Sequence, residues 1–341
     1  MIKIGNLPVS DIKLGNTDIL GVQKDGHVLW EKDRTEILVT FSGDATAADC
    51  YYKINSETIP ASELFDEASK TALFRFPSDQ NLRFAFNLNK KIEKIHIKKV
   101  GSLVQDMSFI SAANSVKIFE FSNCVSTSLK SIGGLCFNCG SLDRISIENC
   151  HFPNAGIAAL FQISTNISEV NIKDVTYKGD LTALLQANSN LRNLKSFTLE
   201  NINQHLSGNS GILDFQNCKS LEILDLSKIG SKENSFTFRK TVFKGCASLK
   251  KILLGNQDSW FPEDKRNGKN EIVGIEDIDL SDTALEYSEL YSLLYKLRNN
   301  PNLITNFKVY VPSSISDNQV KNLKDACKNV QVTIVSGPPV S

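Results

Sequence analysis

The residues with the clearest chemical potential in this 341-residue sequence are two cysteines, Cys136 and Cys139, in Cys-x-x-Cys spacing. That spacing is typical of zinc ligands and of redox-active thiols. A zinc site needs four ligands, and the sequence near this pair contains no second Cys-x-x-Cys and no pair of histidines. The pattern therefore favours a structural role for both thiols.

Two further pairs of residues have types that catalysis uses. Cys150 is followed by His151, a nucleophile beside a base, but neighbouring residues of a strand point in opposite directions. Asp277 and Asp279 flank Ile278, which places their carboxylates about 7 Å apart at a rise of about 3.3 Å per residue. Paired carboxylates hydrolyse glycosides in some enzymes, but a solvated polar strand face explains this pair more simply.

The remaining search for chemistry finds no phosphate-binding loop, no dinucleotide fingerprint and no Gly-x-Ser-x-Gly motif in the sequence. The histidines are scattered as well. We therefore predict that the protein is not an enzyme and that it binds no cofactor and no metal.

Charge and hydropathy exclude other classes. Lys and Arg number 38, as do Asp and Glu, so the net charge is zero and the basic surplus of a nucleic-acid-binding protein is absent. Apolar runs such as 157–161 are too short to span a bilayer. The first residues lack the apolar segment of a secretory signal, so we expect either that the sequence is that of a mature form or that this export route is not used.

The order of the apolar residues reveals an internal repeat. The sequence F-x-x-C-x-S-L-x-x-apolar-x-L occurs at 215–226 and again at 243–254. Short apolar-x-apolar strands recur every 23 to 31 residues, and most follow another apolar residue by three positions, which is the L-x-x-L-x-L core of a leucine-rich repeat. The strands are Ile95/Ile97, Phe119/Phe121, Ile145/Ile147, Val170/Ile172, Phe197/Leu199, Leu224/Leu226, Ile252/Leu254, Ile278/Leu280, Val309/Val311 and Val332/Ile334.

The repeat also accounts for most cysteines. Cys139, Cys218 and Cys246 each stand six residues before a strand pair, and Cys124 and Cys150 share a column with valine and isoleucine. Cysteine in such a column behaves as a small buried hydrophobe. Asn or Asp usually precedes that column, which predicts a turn where each strand ends.

The F-x-x-C-x-S-L-x-x-I-x-L pattern resembles the BspA-like leucine-rich repeats of bacterial surface proteins, over roughly residues 90–335. The repeats in 154–213 depart from it because they lack the Phe and the Cys. The resemblance implies a binding surface. We predict an α/β leucine-rich-repeat solenoid with a concave parallel sheet, convex helices and a cap at each end. Helical spacing occurs at 154–163, 180–191, 287–300 and 316–330.

The first 33 residues form a separate module of degraded copies. "IKIGN" at 2–6 returns as "IKLGN" at 12–16 and as "VQKDG" at 22–26, and each copy predicts a hairpin that turns at Gly-Asn or Asp-Gly. Isolated hairpins are marginally stable, so the module pairs with another chain or with its own copies, or it is a β-cap on the next domain. Its candidate attachment residues are Ile2, Ile4, Ile12, Leu14 and Trp30.

This module, which ends in "VLWEK" at 28–32, resembles the N-terminal segments of structural proteins of phages that infect Bacteroidetes, including crAss-like phages. The resemblance implies that residues 1–33 attach a variable C-terminal domain to the virion.

Between the module and the repeats, residues 34–89 predict a small β-rich domain that covers the first repeat. Expected strands lie at 36–43, 50–57, 71–77 and 82–88, with one short helix at 60–69. The solenoid domain then occupies 90–341.

The concave strand face is the predicted binding surface, because residues between buried positions face solvent. Outward Ile118, Ile223 and Leu253 suit a partner, although β-branched residues also simply suit strands. Trp260 and Phe261, in an insert at 256–271, mark either an interface or a contact with a neighbouring helix. The concave candidates are His96, Ile118, Glu120, Arg144, Asn171, Ile223, Asp225, Leu253, Asp277 and Asp279.

The preferred hypothesis is a phage virion component, a head or tail fibre-like homo-oligomer (dimer or trimer). It would join other virion proteins through 1–33 and present the solenoid to a host surface glycan or protein. It would assemble in the host cytoplasm and act outside the cell, without binding nucleic acid or inserting into a membrane. The alternative is a bacterial cell-surface adhesin with BspA-like repeats that binds host or matrix protein.

Overall fold

The architecture was obtained from a computed structural model of the chain. It describes residues 3–4, 7–8, 12–14, 17–19, 21–24, 27–31, 34–54, 57–77, 83–87, 91–100, 106–110, 115–126, 129, 140–153, 166–178, 192–205, 211–213, 215, 217–228, 236–238, 243–254, 278–298, 307–327 and 332–339.

The described residues are mostly β-structure, with two α-helices, α1 (Tyr287–Arg298) and α2 (Asp317–Cys327). The strands, in chain order, are β1 (Lys3–Ile4), β2 (Leu7–Pro8), β3 (Ile12–Leu14), β4 (Thr17–Ile19), β5 (Gly21–Lys24), β6 (His27–Glu31), β7 (Arg34–Phe41), β8 (Tyr51–Ile54), β9 (Glu57–Pro60), β10 (Phe65–Asp66), β11 (Thr71–Pro77), β12 (Arg83–Asn87), β13 (Ile92–Lys99), β14 (Asp106–Ile110), β15 (Ile118–Ser122), β16 (Arg144–Phe152), β17 (Glu169–Lys178), β18 (Ser196–His205), β19 (Gly211–Leu213), β20 (Ile223–Lys228), β21 (Phe236–Phe238), β22 (Lys251–Leu254), β23 (Ile278–Asp279), β24 (Phe307–Val311) and β25 (Val332–Ser336).

A parallel sheet stacked as a solenoid forms the centre of the fold. Strands β13, β15, β16, β17, β18, β20 and β22 lie side by side in chain order, each parallel to the next, within one ten-stranded sheet. The predicted solenoid is therefore confirmed. The predicted α/β class is not, because strands dominate the part of the chain that the structure describes. The helices expected at 154–163 and 180–191 lie outside the described residues.

The strands form because their apolar residues alternate, and their register places equivalent positions of successive turns side by side. Ile95, Phe119, Ile145 and Val170 are aligned neighbours, and each is fully buried. The column three residues earlier is buried as well, from Ile92 to Leu249. Both predicted columns are thus confirmed wherever their side chains are described, and together they form one continuous apolar interior.

Left-handed residues bend three successive turns at the predicted positions. Asn123, Asn149 and Asp174 end or interrupt their strands with φ of 55°, 51° and 53°. Asn and Asp tolerate this conformation better than most residues. After the bend, Cys150 pairs with Val175, so the parallel ladder continues around the corner.

The Phe-x-x-Cys turns are repeated in two successive coils. Cys218 N–H donates to Phe215 O at 3.0 Å, and Cys246 N–H donates to Phe243 O at 3.1 Å. The two phenylalanine rings stack with centroids 6.4 Å apart and an interplanar angle of 3°. The Cys246 thiol donates to Phe215 O at 3.1 Å, which links the two turns through a buried sulfur.

The domain at 34–89 extends the solenoid sheet in the antiparallel sense. Strand β7 pairs with β13, the first solenoid strand, and β11 and β10 follow on the other side of β7. Ile37, Val39 and Phe41 of β7 are buried in the same core as the repeats, so this strand covers the apolar side of the first repeat. A second sheet, in the order β14-β12-β8-β9, accompanies it.

Two expectations for this domain were wrong in detail. The helix predicted at 60–69 is a single 3₁₀ turn, Ser62–Leu64, followed by β10. Asp66 accepts hydrogen bonds from Ala68 N–H and the Ser69 hydroxyl, and such local bonds compete with a helix. The strand predicted at 50–57 is two strands, since β8 and β9 pair antiparallel across a two-residue link.

The C-terminal region forms a parallel sheet in the order β23-β24-β25, with α1 and α2. Both helices were predicted. The capping box at the start of α2 is confirmed, with Ser316 N–H donating to Gln319 Oε1 at 3.1 Å and Gln319 N–H to Ser316 Oγ at 3.4 Å. Val320, Leu323 and Cys327 are buried, as the helical spacing predicted. Neither helix is long and apolar enough to cross a bilayer.

The N-terminal hairpins are confirmed as backbone structures. Strand pairs β1–β2, β3–β4 and β5–β6 are each antiparallel, and two residues connect the strands of each pair. Each pair is a two-stranded sheet of its own. Of the candidate attachment residues, Ile4, Ile12, Leu14 and Trp30 lie in these strands, and Ile2 lies outside the described residues.

Replacing Gly245 by alanine should destabilise the solenoid by about 1–2 kcal/mol, the usual cost of a left-handed alanine. Gly245 has a φ of 76°, and an added Cβ would lie 2.8 Å from Asn217 Oδ1. Gly140→Ala is the matched control, because nothing lies within 4 Å of its added Cβ. Urea denaturation followed by circular dichroism checks both, and equal midpoints for the two variants would contradict the expectation.

The buried cysteines should resist alkylation in the native protein. Burial raises the pKa of Cys50 to about 11, and burial also raises the pKa of Cys124 above its usual range. Since the thiolate is the reactive form, iodoacetamide at pH 8 should label Cys50, Cys124, Cys150, Cys218, Cys246 and Cys327 only after denaturation. Peptide mass spectrometry measures this, with the urea-denatured chain as the positive control. Labelling of the native chain at these sites would show an open interior.

Candidate binding surface

The sheet face opposite the core is the candidate site, and we call it the open face. It consists of three rows of side chains that alternate with the buried positions of β13, β15, β16, β17, β18, β20 and β22, and all of these side chains are half-buried or exposed. The rows are Lys94, Ile118, Arg144, Glu169, Ser196, Ile223 and Lys251, then His96, Glu120, Ser146, Asn171, Thr198, Asp225 and Leu253, then Lys98, Ser122, Glu148, Lys173 and Glu200.

A polar cluster occupies the first two turns of the open face. His96 Nε2 lies 2.7 Å from Ser122 Oγ, and His96 Nδ1 lies 3.6 Å from Glu120 Oε2. The same carboxylate oxygen is 2.7 Å from Lys94 Nζ. Burial lowers the pKa of His96, and the Glu120 carboxylate opposes this effect. His96 is therefore held towards its neutral form.

The order Ser122–His96–Glu120 is that of a serine, a base and an acid, so its chemical capacity needs to be considered. A serine nucleophile also requires donors for the oxyanion. Strands β13, β15 and β16 use their backbone N–H groups in the parallel ladder, and Glu120 forms its shorter contact with Lys94. This geometry favours a polar cluster that shapes a surface.

Cross-strand pairs continue the polar character towards the middle of the open face. Arg144 Nη2 lies 2.9 Å from Glu169 Oε2, and Lys173 Nζ lies 3.4 Å from Glu200 Oε1. Asn171 Nδ2 donates to Glu148 Oε1 at 3.0 Å. Exposed pairs of this kind contribute about 0.2–1 kcal/mol each, so they set the surface charge more than the stability.

The later turns of the open face are less polar. Ile223 is 41% exposed and lies between Ser196 and Lys251 in its row. Leu253 lies beside Asp225 in the next row and is half-buried. The exposed aliphatic surface predicted from the sequence is therefore present at Ile223. Ile118, between Lys94 and Arg144, is half-buried.

The expectation that Asp279 projects into solvent was wrong. This side chain is only 7% exposed, because its Oδ1 accepts hydrogen bonds from Ser281 N–H at 3.0 Å and from Ser281 Oγ at 2.6 Å. It shapes the turn after β23, and its burial removes one member of the proposed carboxylate pair from the surface. Asp277, Trp260 and Phe261 lie outside the described residues.

The structure brings His96 next to Glu120, as the strand alignment predicted. It also places Ile223 near Asp225 and Leu253, as the same alignment predicted. The third row, which supplies Ser122 and Glu148, was not predicted from the sequence. The same alternation carried two residues further along each strand would have identified both.

In the described part of the chain, no group of three or more His, Cys, Asp or Glu side chains lies close enough together to hold a metal ion. The pair Cys136/Cys139 lies outside that part. His151 is exposed while Cys150 is buried, which agrees with the expected divergence of neighbouring side chains.

Comparison of the whole chain with protein-family models found no match, and a search of curated proteins found none either.

Acidification should weaken the wild-type protein partly through His96. Because the pKa of folded His96 is below its ordinary value of 6.5, the unfolded chain takes up the proton first as pH falls. The free energy of unfolding should therefore decrease as the pH is lowered from about 6.5. The His96→Gln variant should lose less stability between pH 7.5 and pH 5.

Urea denaturation at several pH values measures this difference. His151→Gln is the control, because His151 is an exposed histidine one turn away. A pH dependence of His96→Gln identical to that of the wild type would contradict the assignment.

Proposed function

We propose that this protein is a non-enzymatic phage virion component, a head or tail fibre-like protein. Residues 1–33 join it to other virion proteins, and a solenoid of the BspA-like leucine-rich-repeat type presents its open face to a host surface protein or glycan. The chain acts as a homo-oligomer, which assembles in the host cytoplasm and works outside the cell.

The observation that carries the proposal is the construction of the first 31 residues. Each hairpin is its own two-stranded sheet, with strands of two to five residues. Such hairpins are marginally stable alone and gain stability by joining a larger sheet or a hydrophobic partner. Unpaired strand edges offer backbone groups to another chain, and this makes the module suited to attachment.

The leucine-rich-repeat assignment is supported by the buried columns. In the repeat at 249–254, Leu249 and Ile252 are buried at the first two apolar positions, and Leu253 between the strand positions faces outward. The same pattern holds at Leu221, Leu224 and Leu226. Solenoid sheets with such turns present extended surfaces to partners.

The open face supports a recognition role because its early turns are polar and its later turns contain an exposed aliphatic side chain. Its early turns carry cross-strand ion pairs, and its later turns carry Ile223 among polar side chains. Exposed aliphatic surface within a polar rim is typical of a protein interface. Because the core does not depend on these side chains, they can vary with the host.

Deleting residues 1–33 should abolish incorporation into particles and leave the solenoid folded. The described core begins at Ile37, so the truncated chain should keep its circular dichroism spectrum, and its free energy of unfolding in urea should stay within about 0.5 kcal/mol of that of the full chain.

Mass spectrometry of purified particles measures incorporation of the truncated and full-length chains. The control is Ile223→Asp in the full-length chain, which should enter particles normally and lose host adsorption. Particles that retain the truncated chain would contradict the attachment role of the module.

A further inference from the structure

A cleft in the C-terminal region lies between the first residues of α1 and the segment that enters α2. Its volume is 610 Å³, and it is open to solvent. Leu285 and Ile315 are buried beside it and give it an apolar floor. The other lining residues are Ala284, Glu286, Tyr287, Ser288, Ser314 and Gln319.

A row of tyrosines leads out of this cleft along α1. Tyr287 lines the cleft, and Tyr291 and Tyr295 follow at four-residue intervals, which places all three on one side of the helix. The rings of Tyr287 and Tyr291 have centroids 6.1 Å apart and are tilted by 45°. Tyr291 is 42% exposed and Tyr295 is 53% exposed. The rings of Tyr291 and Tyr295 are therefore accessible from solvent.

The polar groups of the cleft are held in place. Gln319 Oε1 accepts hydrogen bonds from Ser316 N–H at 3.1 Å and from Ser316 Oγ at 2.9 Å. These bonds fix the amide, and its Nε2 group donates to no acceptor among the described residues. Glu286 supplies an acceptor, and the serine hydroxyls can both donate and accept.

The charges of the residues that line the cleft indicate which class of ligand it suits. Among the described lining residues Glu286 carries the only formal charge, and none is Lys or Arg. Phosphate, sulfate and carboxylate ligands are usually held by Arg or Lys, so this cleft does not suit them. Aromatic rings with polar tips, an apolar floor and oriented hydrogen-bonding groups suit a ligand that has apolar faces and hydroxyl edges.

We propose that the cleft and the tyrosine row bind an uncharged oligosaccharide, with one sugar in the cleft and the following sugars against Tyr291 and Tyr295. This site lies in the C-terminal region and is separate from the open face. The proposal does not rest on the virion assignment.

The test is isothermal titration of the full-length protein with maltohexaose, cellohexaose, mannohexaose and N-acetylchitohexaose at millimolar concentrations. At least one should bind, and Tyr291→Ala should weaken its binding tenfold or more. Tyr295→Ala should weaken it less, because that ring lies further from the cleft. Both residues are exposed, so the free energy of unfolding in urea should stay within about 0.5 kcal/mol of the wild-type value.

Two control variants locate the effect. Leu64→Ala removes an equally exposed apolar side chain from the N-terminal β domain, and Ile223→Ala alters the open face. Both should bind the oligosaccharide as the wild type does, so a failure of the open face in host adsorption would leave this result unaffected.

Three results would overturn the proposal. The first is that none of the four oligosaccharides binds. The second is oligosaccharide binding that Tyr291→Ala leaves unchanged. Heparin that binds more strongly than the four oligosaccharides, with an affinity that Tyr291→Ala also leaves unchanged, would count as the same result. The third is a smaller oligomer of Tyr295→Ala in analytical ultracentrifugation, which would identify the tyrosine row as an interface between copies of the chain.

Discussion

Each turn of the solenoid needs its neighbour to cover its apolar row, and this mutual burial is the constraint on which the other features depend. Ile145 lies between Phe119 and Val170 in the ladder, and none of the three has measurable exposure. Full burial of such a side chain stabilises the fold by about 1.5–3 kcal/mol, whereas an exposed ion pair contributes about 0.2–1 kcal/mol. The stacking of apolar rows therefore dominates the stability, and a solenoid of this kind requires a cap at each end.

The corners of the turns follow from the same stacking. Successive turns align only when each chain bends at the same position, and the left-handed residues Asn123, Asn149 and Asp174 supply that bend. In the Phe-x-x-Cys turns, Asn217 and Gly245 adopt φ of 66° and 76° at equivalent positions. Asn217 N–H donates to Lys244 O at 2.8 Å, so the two corners are also joined directly. The repeated geometry of the corners keeps the open face regular from turn to turn.

Surfaces that the core does not use differ in character along the chain. The open face alternates with the buried columns, so its side chains change character without altering the interior. Ion pairs of the early turns, such as Arg144–Glu169, give way to Ile223 in the later turns. The cleft beside Tyr287 arises differently, because it lies where the start of α1 meets the segment that enters α2. The open face and the cleft therefore differ in origin, although the same continuous core lies beneath both.

Local alternation and turn residues were enough to predict the solenoid, its buried columns, the asparagine corners, the N-terminal hairpins and both C-terminal helices. The folded chain was needed to find the antiparallel joining of β7 to β13, the 3₁₀ turn at Ser62–Leu64 and the burial of Asp279. Those features depend on partners distant in the chain or on the hydrogen bonds of one particular turn. The cleft belongs to the same class, since it exists only where α1 and the segment before α2 meet. Hydrophobic periodicity predicts which side of a strand is buried. It does not predict which distant segments of the chain contact each other.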